Sequence, residues 1–289
     1  MNKSFTLIEI LVVIVVIGVL SAFILVGMSS ITSSANIAKG KAFLNSMDNS
    51  MLLGRVSQWK FDELSTAIHG TTPIIDSWNN NNGTLTTNDG STEKLRIDCP
   101  SSRCIYFDGI DDFIFFGNNN NLSFNDQTDW TASYWIYPTK ETWNVLSSNN
   151  TAYPYLMTHT NGSVCLRSSG GNYYSSNYGL IVLNKWQHLV VSCTGSSRIL
   201  KIYINGEYKW SIGGLDNSQM RFNYLGIENG GSRFRGSIDD VRVYNQAIPT
   251  SEIQQNYFVG LNDLYKNNRI TLDEFNQRLV DLKTNLSKN

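Results

Sequence analysis

Charge is scarce in this 289-residue chain: Asp, Glu, Lys and Arg make up only 16% of it, against about 25% in an average soluble protein. The 23 basic and 24 acidic residues leave a formal net charge of -1, so no global field draws the chain to nucleic acid. Local signatures of catalysis are missing too. There is no Gly-x-Ser-x-Gly elbow, no phosphate-binding Gly-Lys-Ser/Thr loop and no dinucleotide fingerprint. His69, His159 and His188 are scattered, with no Cys or acidic residue at zinc-ligand spacing around them, and they read as solvated or core side chains.

What the chain does have is a 41% hydrophobic share, enough for a core in one large domain or two modest ones. Gly, Asn, Ser, Thr and aromatic residues are plentiful, as in extracellular β proteins with long polar loops. From Phe5 to Met28 the sequence is almost wholly apolar, broken only by Thr6, Glu9, Gly18, Ser21 and Gly27. About 20 such residues span a bilayer as a helix. Lys3 precedes the segment while Lys39 and Lys41 lie well beyond it, a weak bias toward a cytoplasmic N-terminus.

A carboxylate inside an apolar span costs insertion energy and marks a function, which makes Glu9 the informative residue. The run Lys3-Ser4-Phe5-Thr6-Leu7-Ile8-Glu9-Ile10-Leu11-Val12-Val13-Ile14 resembles the class III signal of type IV pilins and pseudopilins. The resemblance implies that a prepilin peptidase cuts between Ser4 and Phe5 and that the new amino terminus is methylated. It further implies that Glu9 meets the Phe5 amine of a neighbouring subunit, since an unpaired charge in a dry filament core is costly. Ser4 departs from the Gly that the family prefers before the cut. Beyond the span, Ile31, Ala35, Ile37, Ala38, Ala42, Phe43, Met47, Met51 and Leu52 recur at spacings near three and four. One helix over 5–55, about 75 Å long, is therefore expected behind a leader at 1–4, with its transmembrane part at about 5–28.

After Val56 the texture changes to short strands between Asn, Gly and Ser clusters, as in a sandwich or barrel. Arg198–Ile204, the turn Asn205-Gly206 and Glu207–Ile212 spell a hairpin with two positive-φ turn positions. Further strands are expected at Ile105–Phe107, Phe113–Phe116, Thr131–Tyr137, His188–Cys193 and Ile238–Tyr244. An ordered set of strings, among them Trp59-Lys60-Phe61-Asp62-Glu63, Phe107-Asp108-Gly109-Ile110-Asp111-Asp112-Phe113, Lys185-Trp186-Gln187-His188 and Gly236-Ser237-Ile238-Asp239-Asp240-Val241, resembles the laminin-G-like and concanavalin A-like jelly rolls. The expected fold is mainly β: an antiparallel sandwich over 56–248, behind the long N-terminal helix and ahead of a C-terminal helical hairpin over 249–289.

That resemblance implies carbohydrate or protein binding and, in many members, a structural calcium ion. A hard cation needs convergent oxygens, and Asp108 and Asp239 are the first candidates, with Asp76 and Asp111 behind them. The alternative is that these acids are turn formers bonded to backbone amides. Trp143, Tyr153, Tyr155, Tyr173, Tyr174 and Tyr178 in polar loops are candidates to stack on sugar rings, although aromatics also favour strands for packing alone. Glucanases of this fold need a paired nucleophile and acid, and no Glu-x-Asp-x-Glu run is present, so the expectation is a binding protein rather than an enzyme.

Cys99, Cys104, Cys165 and Cys193 all follow the apolar span and suit an oxidising compartment. Cys99 and Cys104 enclose a turn short enough for a local bridge, and Cys165 and Cys193 lie on expected strands. The other pairings, and free thiols, stay open. In the tail, Ser251 with Gln254 and Thr271 with Glu274 have capping-box spacing, and Leu272, Phe275, Leu279, Leu282 and Leu286 form an apolar stripe that needs a partner, either this jelly roll or another chain. The combined expectation is a single-pass membrane protein with an extracytoplasmic head, assembled as a minor pilin with other pilin subunits on the cell surface. The alternatives are a pseudopilin of a secretion or DNA-uptake machine and a membrane-tethered carbohydrate-active enzyme.

Overall fold

The computed structural model describes residues 54–286 apart from 65–71, 88–94, 119, 141–143, 150–153, 218 and 229–230. The leader, the expected helix as far as residue 53 with Phe5 and Glu9, and the aromatics Trp143 and Tyr153 lie outside the described residues. The helix does not reach 55, because Gly54 sits in a turn at φ 78° and Arg55 opens a strand. Among those described, no helix is long and apolar enough to cross a membrane.

Two antiparallel sheets enclose the core. The first runs β15 (Glu207–Ile212), β14 (Ile199–Ile204), β13 (Gln187–Thr194), β8 (Trp130–Pro138), β18 (Arg235–Tyr244), β5 (Cys104–Asp108) and β4 (Leu95–Arg96). Beside β5, β1 (Arg55–Trp59) pairs with the far half of β18. The second runs β12 (Tyr173–Ser175), β11 (Val164–Arg167), β10 (Tyr155–Thr158), β9 (Asn144–Ser148), β17 (Tyr224–Leu225), β6 (Phe113–Phe115), β3 (Gly83–Thr86) and β2 (Thr72–Ile74). A small ribbon joins β7 (Ser123–Phe124) to β16 (Met220–Arg221). Alternation along the strands sends Trp130, Ala132, Tyr134 and Ile136 of β8 inward against Leu146, Leu156 and Leu166 of the second sheet. Trp59 stacks on Phe116 at 4.0 Å and Phe107 meets Phe234 edge-on at 5.9 Å within this core. The expected hairpin forms as β14 and β15, with φ of 54° at Asn205 and 77° at Gly206.

The chain enters this domain at one end of β18. Asn245 N–H donates to Gly54 O at 2.8 Å, and Arg55 stands opposite Tyr244. Gly54 has φ +78°, and a Cβ there would strike the Gln246 side chain at 2.5 Å, so both backbone and space demand glycine.

The C-terminal stripe finds its partner on this same domain. Helices α1 (Thr250–Lys266) and α2 (Leu272–Leu286) cover the outward face of the first sheet. Tyr257 stacks on Trp135 at 5.7 Å and on His188 at 6.1 Å, and Tyr265 stacks on Phe275 at 4.8 Å to join the helices. Arg278 donates to Trp186 O at 3.0 Å, and Asn267 donates to Pro100 O at 2.9 Å. Thr271 caps α2 through Oγ1, which accepts Glu274 N–H at 3.2 Å. The box expected at Ser251 does not form. Helix α1 starts two residues earlier, at Thr250, with Pro249 in extended conformation as its cap and no side-chain cap bond.

Candidate functional site

Strands β5, β8 and β10 end, and β6, β9, β11 and β18 begin, at the end of the sandwich opposite Gly54. Arg235 pairs with Asp108 and Gly236 with Pro138 across the sheet, and Arg235 N–H donates to Asn144 Oδ1 at 3.0 Å. Two cavities of about 400 Å³ each open here, and Lys140 lines both. The first is walled by Pro138, Asn144, His159, Asn161, Ile181 and Val182, the second by Asp108, Ile110, Ser232, Arg233 and Arg235. Such volumes are typical of small-molecule sites.

The four acids singled out in the sequence do not form one site. Asp108 and Asp111 do meet, but their third partner is Asp112, with a ligand atom from each within 4.8 Å of the others. Asp108 Oδ1 accepts Ile110 N–H at 2.7 Å, Asp112 Oδ2 accepts Asp108 N–H at 2.8 Å, and Asp111 Oδ1 is buried without a hydrogen-bond partner. Asp239 lies four residues further along β18, about 13 Å away, fully buried, where its carboxylate accepts Ser101 N–H and Oγ–H at 3.1 and 2.7 Å. Burial holds its carboxyl well above the usual range, against those bonds. Asp76 is likewise a turn former: it accepts N–H groups from Gln58, Trp78 and Asn81 at 2.9 to 3.2 Å.

The aromatics divide as well. Tyr173 is 46% exposed, and the Arg167 guanidinium lies 4.4 Å from its ring and donates to its hydroxyl at 2.7 Å. Its neighbour Tyr174 points the other way, packing on the core while its hydroxyl engages Asp216, so it presents no ring to a ligand. Tyr155 is buried and shares a hydrogen bond with Tyr173 at 3.0 Å, whereas Tyr178 is 76% exposed.

At the opposite end, beneath α1, lies a buried polar layer, part of it bonded within itself and part, such as Glu252 Oε1 and His188 Nδ1, without a hydrogen-bond partner. Arg242 pairs with Asp240 at 2.5 Å, donates to Asn256, and Asn256 donates to Tyr244 at 3.1 Å. Burial pushes the Asp240 carboxyl up, but Arg242 outweighs it and leaves the net shift downward. His188 Nε2 shares a hydrogen bond with Ser133 Oγ at 2.8 Å, and burial, then the Arg242 charge, holds its pKa down to about 3. Burial raises Glu252 to about 7, against Arg55 and Arg242.

Of the cysteines, Cys99 and Cys104 are bridged, with Cα atoms 5.7 Å apart. The pair Cys165–Cys193 is not formed: both are buried free thiols, one on β11 of the second sheet and one on β13 of the first. Burial pushes both up to about 12, which leaves them inert.

Sequence reasoning missed Asp112, Lys140, Arg233 and Arg235. Arg233-Phe234-Arg235, leading into β18 and ending on its first residue, was the available signal, since residues two apart on an extended segment share a face.

Residues 108–254 match the family model of the concanavalin A-like lectin/glucanases superfamily, and residues 1–25 match that of the prokaryotic N-terminal methylation motif. A search of curated proteins finds no match. Among solved structures, the sandwich is similar to domain 4 of a GH43 extracellular arabinanase from Geobacillus stearothermophilus in complex with arabinotriose, at 20% identity and TM-score 0.52, covering 70% of this chain and 97% of that one. It is also similar to the binding domain of Paraclostridial mosquitocidal protein 1 at 17% identity and TM-score 0.53. The receptor binding domain of botulinum neurotoxin D matches at 15% and 0.52. These toxin matches cover 72% and 73% of this chain and span 53% and 54% of those chains. At such identities the likeness is one of fold.

Proposed function

The chain belongs to the concanavalin A-like lectin/glucanases superfamily, and we propose that it is a minor pilin-like subunit that displays this jelly roll on a type IV filament to bind a surface carbohydrate. The observation that carries the reading is the pairing of a methylation motif at residues 1–25 with a lectin-like domain whose cavities lie at the opposite end of β18 from the chain's entry at Gly54. A carbohydrate ligand is in keeping with the arabinotriose bound by the similar arabinanase domain. Binding rather than catalysis is our reading because the sequence holds no Glu-x-Asp-x-Glu run of the kind glucanases of this fold use. A head of this bulk suits a minor subunit, since it would crowd every position of a tight fibre.

Mass spectrometry of the protein from its native membrane tests the filament part. N-methylated Phe5 is the expected mature terminus, and an intact Met1 or a cut near Ala22 would leave the jelly roll merely tethered or secreted. Recovery on sheared surface fibres separates this reading from a pseudopilus kept in the envelope.

We also propose that Asp108, Asp111 and Asp112 hold a structural calcium ion. Three carboxylates within 4.8 Å and a buried, unpartnered Asp111 Oδ1 suit a hard cation. Calcium should raise the unfolding midpoint and a chelator lower it; a midpoint indifferent to both removes the site.

A further inference from the structure

Resting on the carbohydrate reading above, we propose that the ligand at the Lys140 end is an acidic saccharide, one bearing carboxylate or sulfate groups. Three of the four charged side chains lining the second cavity are cations: Lys140, Arg233 and Arg235. The fourth, Asp108, has Oδ1 engaged by the Ile110 amide and belongs with Asp111 and Asp112 to the proposed calcium site, whose ion would offset their charge. Lys140 carries the positive wall into the first cavity, whose described lining adds His159 and no acid.

The arrangement is built rather than accidental. Arg233 is held by two backbone carbonyls, Glu228 O at 3.1 Å and Ser232 O at 3.2 Å, so its guanidinium is fixed before a ligand arrives. The Arg235 stem lies across Gly109, where a Cβ would sit 2.9 Å from it and φ is +79°; only glycine allows that approach. Lys140 and Arg235 remain exposed, and neither has an ion pair among the described residues.

The chemistry of the wall decides between ligand classes. Neutral sugars are gripped largely by stacking on aromatic rings, yet the described residues lining the two cavities include no Phe, Tyr or Trp. A guanidinium instead matches carboxylate or sulfate oxygens with paired donors. Exposed cations also hasten encounter with an anionic polymer, an effect that salt removes.

The test is binding of the full-length protein in detergent micelles, with calcium present, to polygalacturonate, dextran sulfate and neutral arabinan. Retention of either acidic polymer is expected, carboxylate and sulfate being told apart by which one binds, with no comparable retention of arabinan. The double variant Lys140→Gln, Arg235→Gln should weaken it at least about tenfold, while Lys201→Gln, an exposed cation on β14, leaves it unchanged. Both altered side chains are exposed, so an unshifted melt confirms the fold. If arabinan binds as well as the acidic polymers, the acidic preference is wrong although the carbohydrate reading stands. If acidic binding survives in the double variant, the site is wrong. If no glycan binds at all, both readings fall.

Discussion

The two ends of β18 handle charge in opposite ways. At the Tyr244 end, Arg242, Gln58 and Asn256 are buried and bonded with the half-buried Asp240. At the Arg235 end, Lys140 and Arg235 stand in the open beside two cavities. Burial demands that each charge be answered, which fixes the packing of helix on sheet. Exposure leaves cations free to meet something outside the chain. One strand thus carries an end whose charges are bonded within the chain and an end whose cations stand exposed, and the same residue type serves each differently.

Breaking the buried end should have the largest effect. Asp240→Asn leaves the buried Arg242 without its paired carboxylate, with Glu252 the remaining acid that feels its charge, and an expected loss of about 3 kcal/mol is measurable by denaturant unfolding. Next comes the loop between the ends, tied by Cys99–Cys104 and bonded to Asp239 through Ser101 and to α1 through Asn267. Replacing both cysteines by Ser should cost about 2 kcal/mol from the closed loop alone, while thiol titration of the unfolded wild-type chain should detect only Cys165 and Cys193.

A third measurement sharpens the contrast through pH. Glu252 has a folded pKa raised to about 7, so the stability it contributes is full below about pH 4.5 and is lost as the pH rises through about 7. His188 has the opposite sign: with a folded value of about 3, its contribution is present above about pH 6.5 and is lost as the pH falls. The melting temperature of Glu252→Gln relative to wild type should therefore climb between about pH 5 and about pH 8, and a flat difference would place Glu252 outside the buried layer. The smallest effect belongs to the exposed end, where Lys140→Gln and Arg235→Gln should each change stability by no more than about 0.5 kcal/mol.

Features encoded by a few neighbouring residues are legible in the sequence. Asn205-Gly206 dictates its turn, Cys99 and Cys104 are tethered within reach of each other, and Thr271 caps the helix that follows. Features set by register are not. Asp239 and Asp108 look alike in sequence, but pairing sets Asp108 opposite Arg235, four residues from Asp239 along β18, and Asp239 is buried against Ser101. Cys165 and Cys193 each read correctly as strand residues, yet nothing local says which sheet a strand joins. Tyr173 and Tyr174 are neighbours that strand geometry sends to opposite faces. Lys140, Arg233 and Arg235 become one cluster only because Arg235 pairs with Asp108 and Gly236 with Pro138.

The antiparallel pairing of β1 with β18, Arg55 against Tyr244 through Trp59 against Val241, has a mechanical side. Tension between Gly54 and a ligand gripped beside Arg235, about 30 Å along the strand, pulls β1 lengthwise past its neighbour. The ladder bonds lie across that direction, so they would share such a load together instead of parting one by one, as the proposed role of a filament-borne head requires.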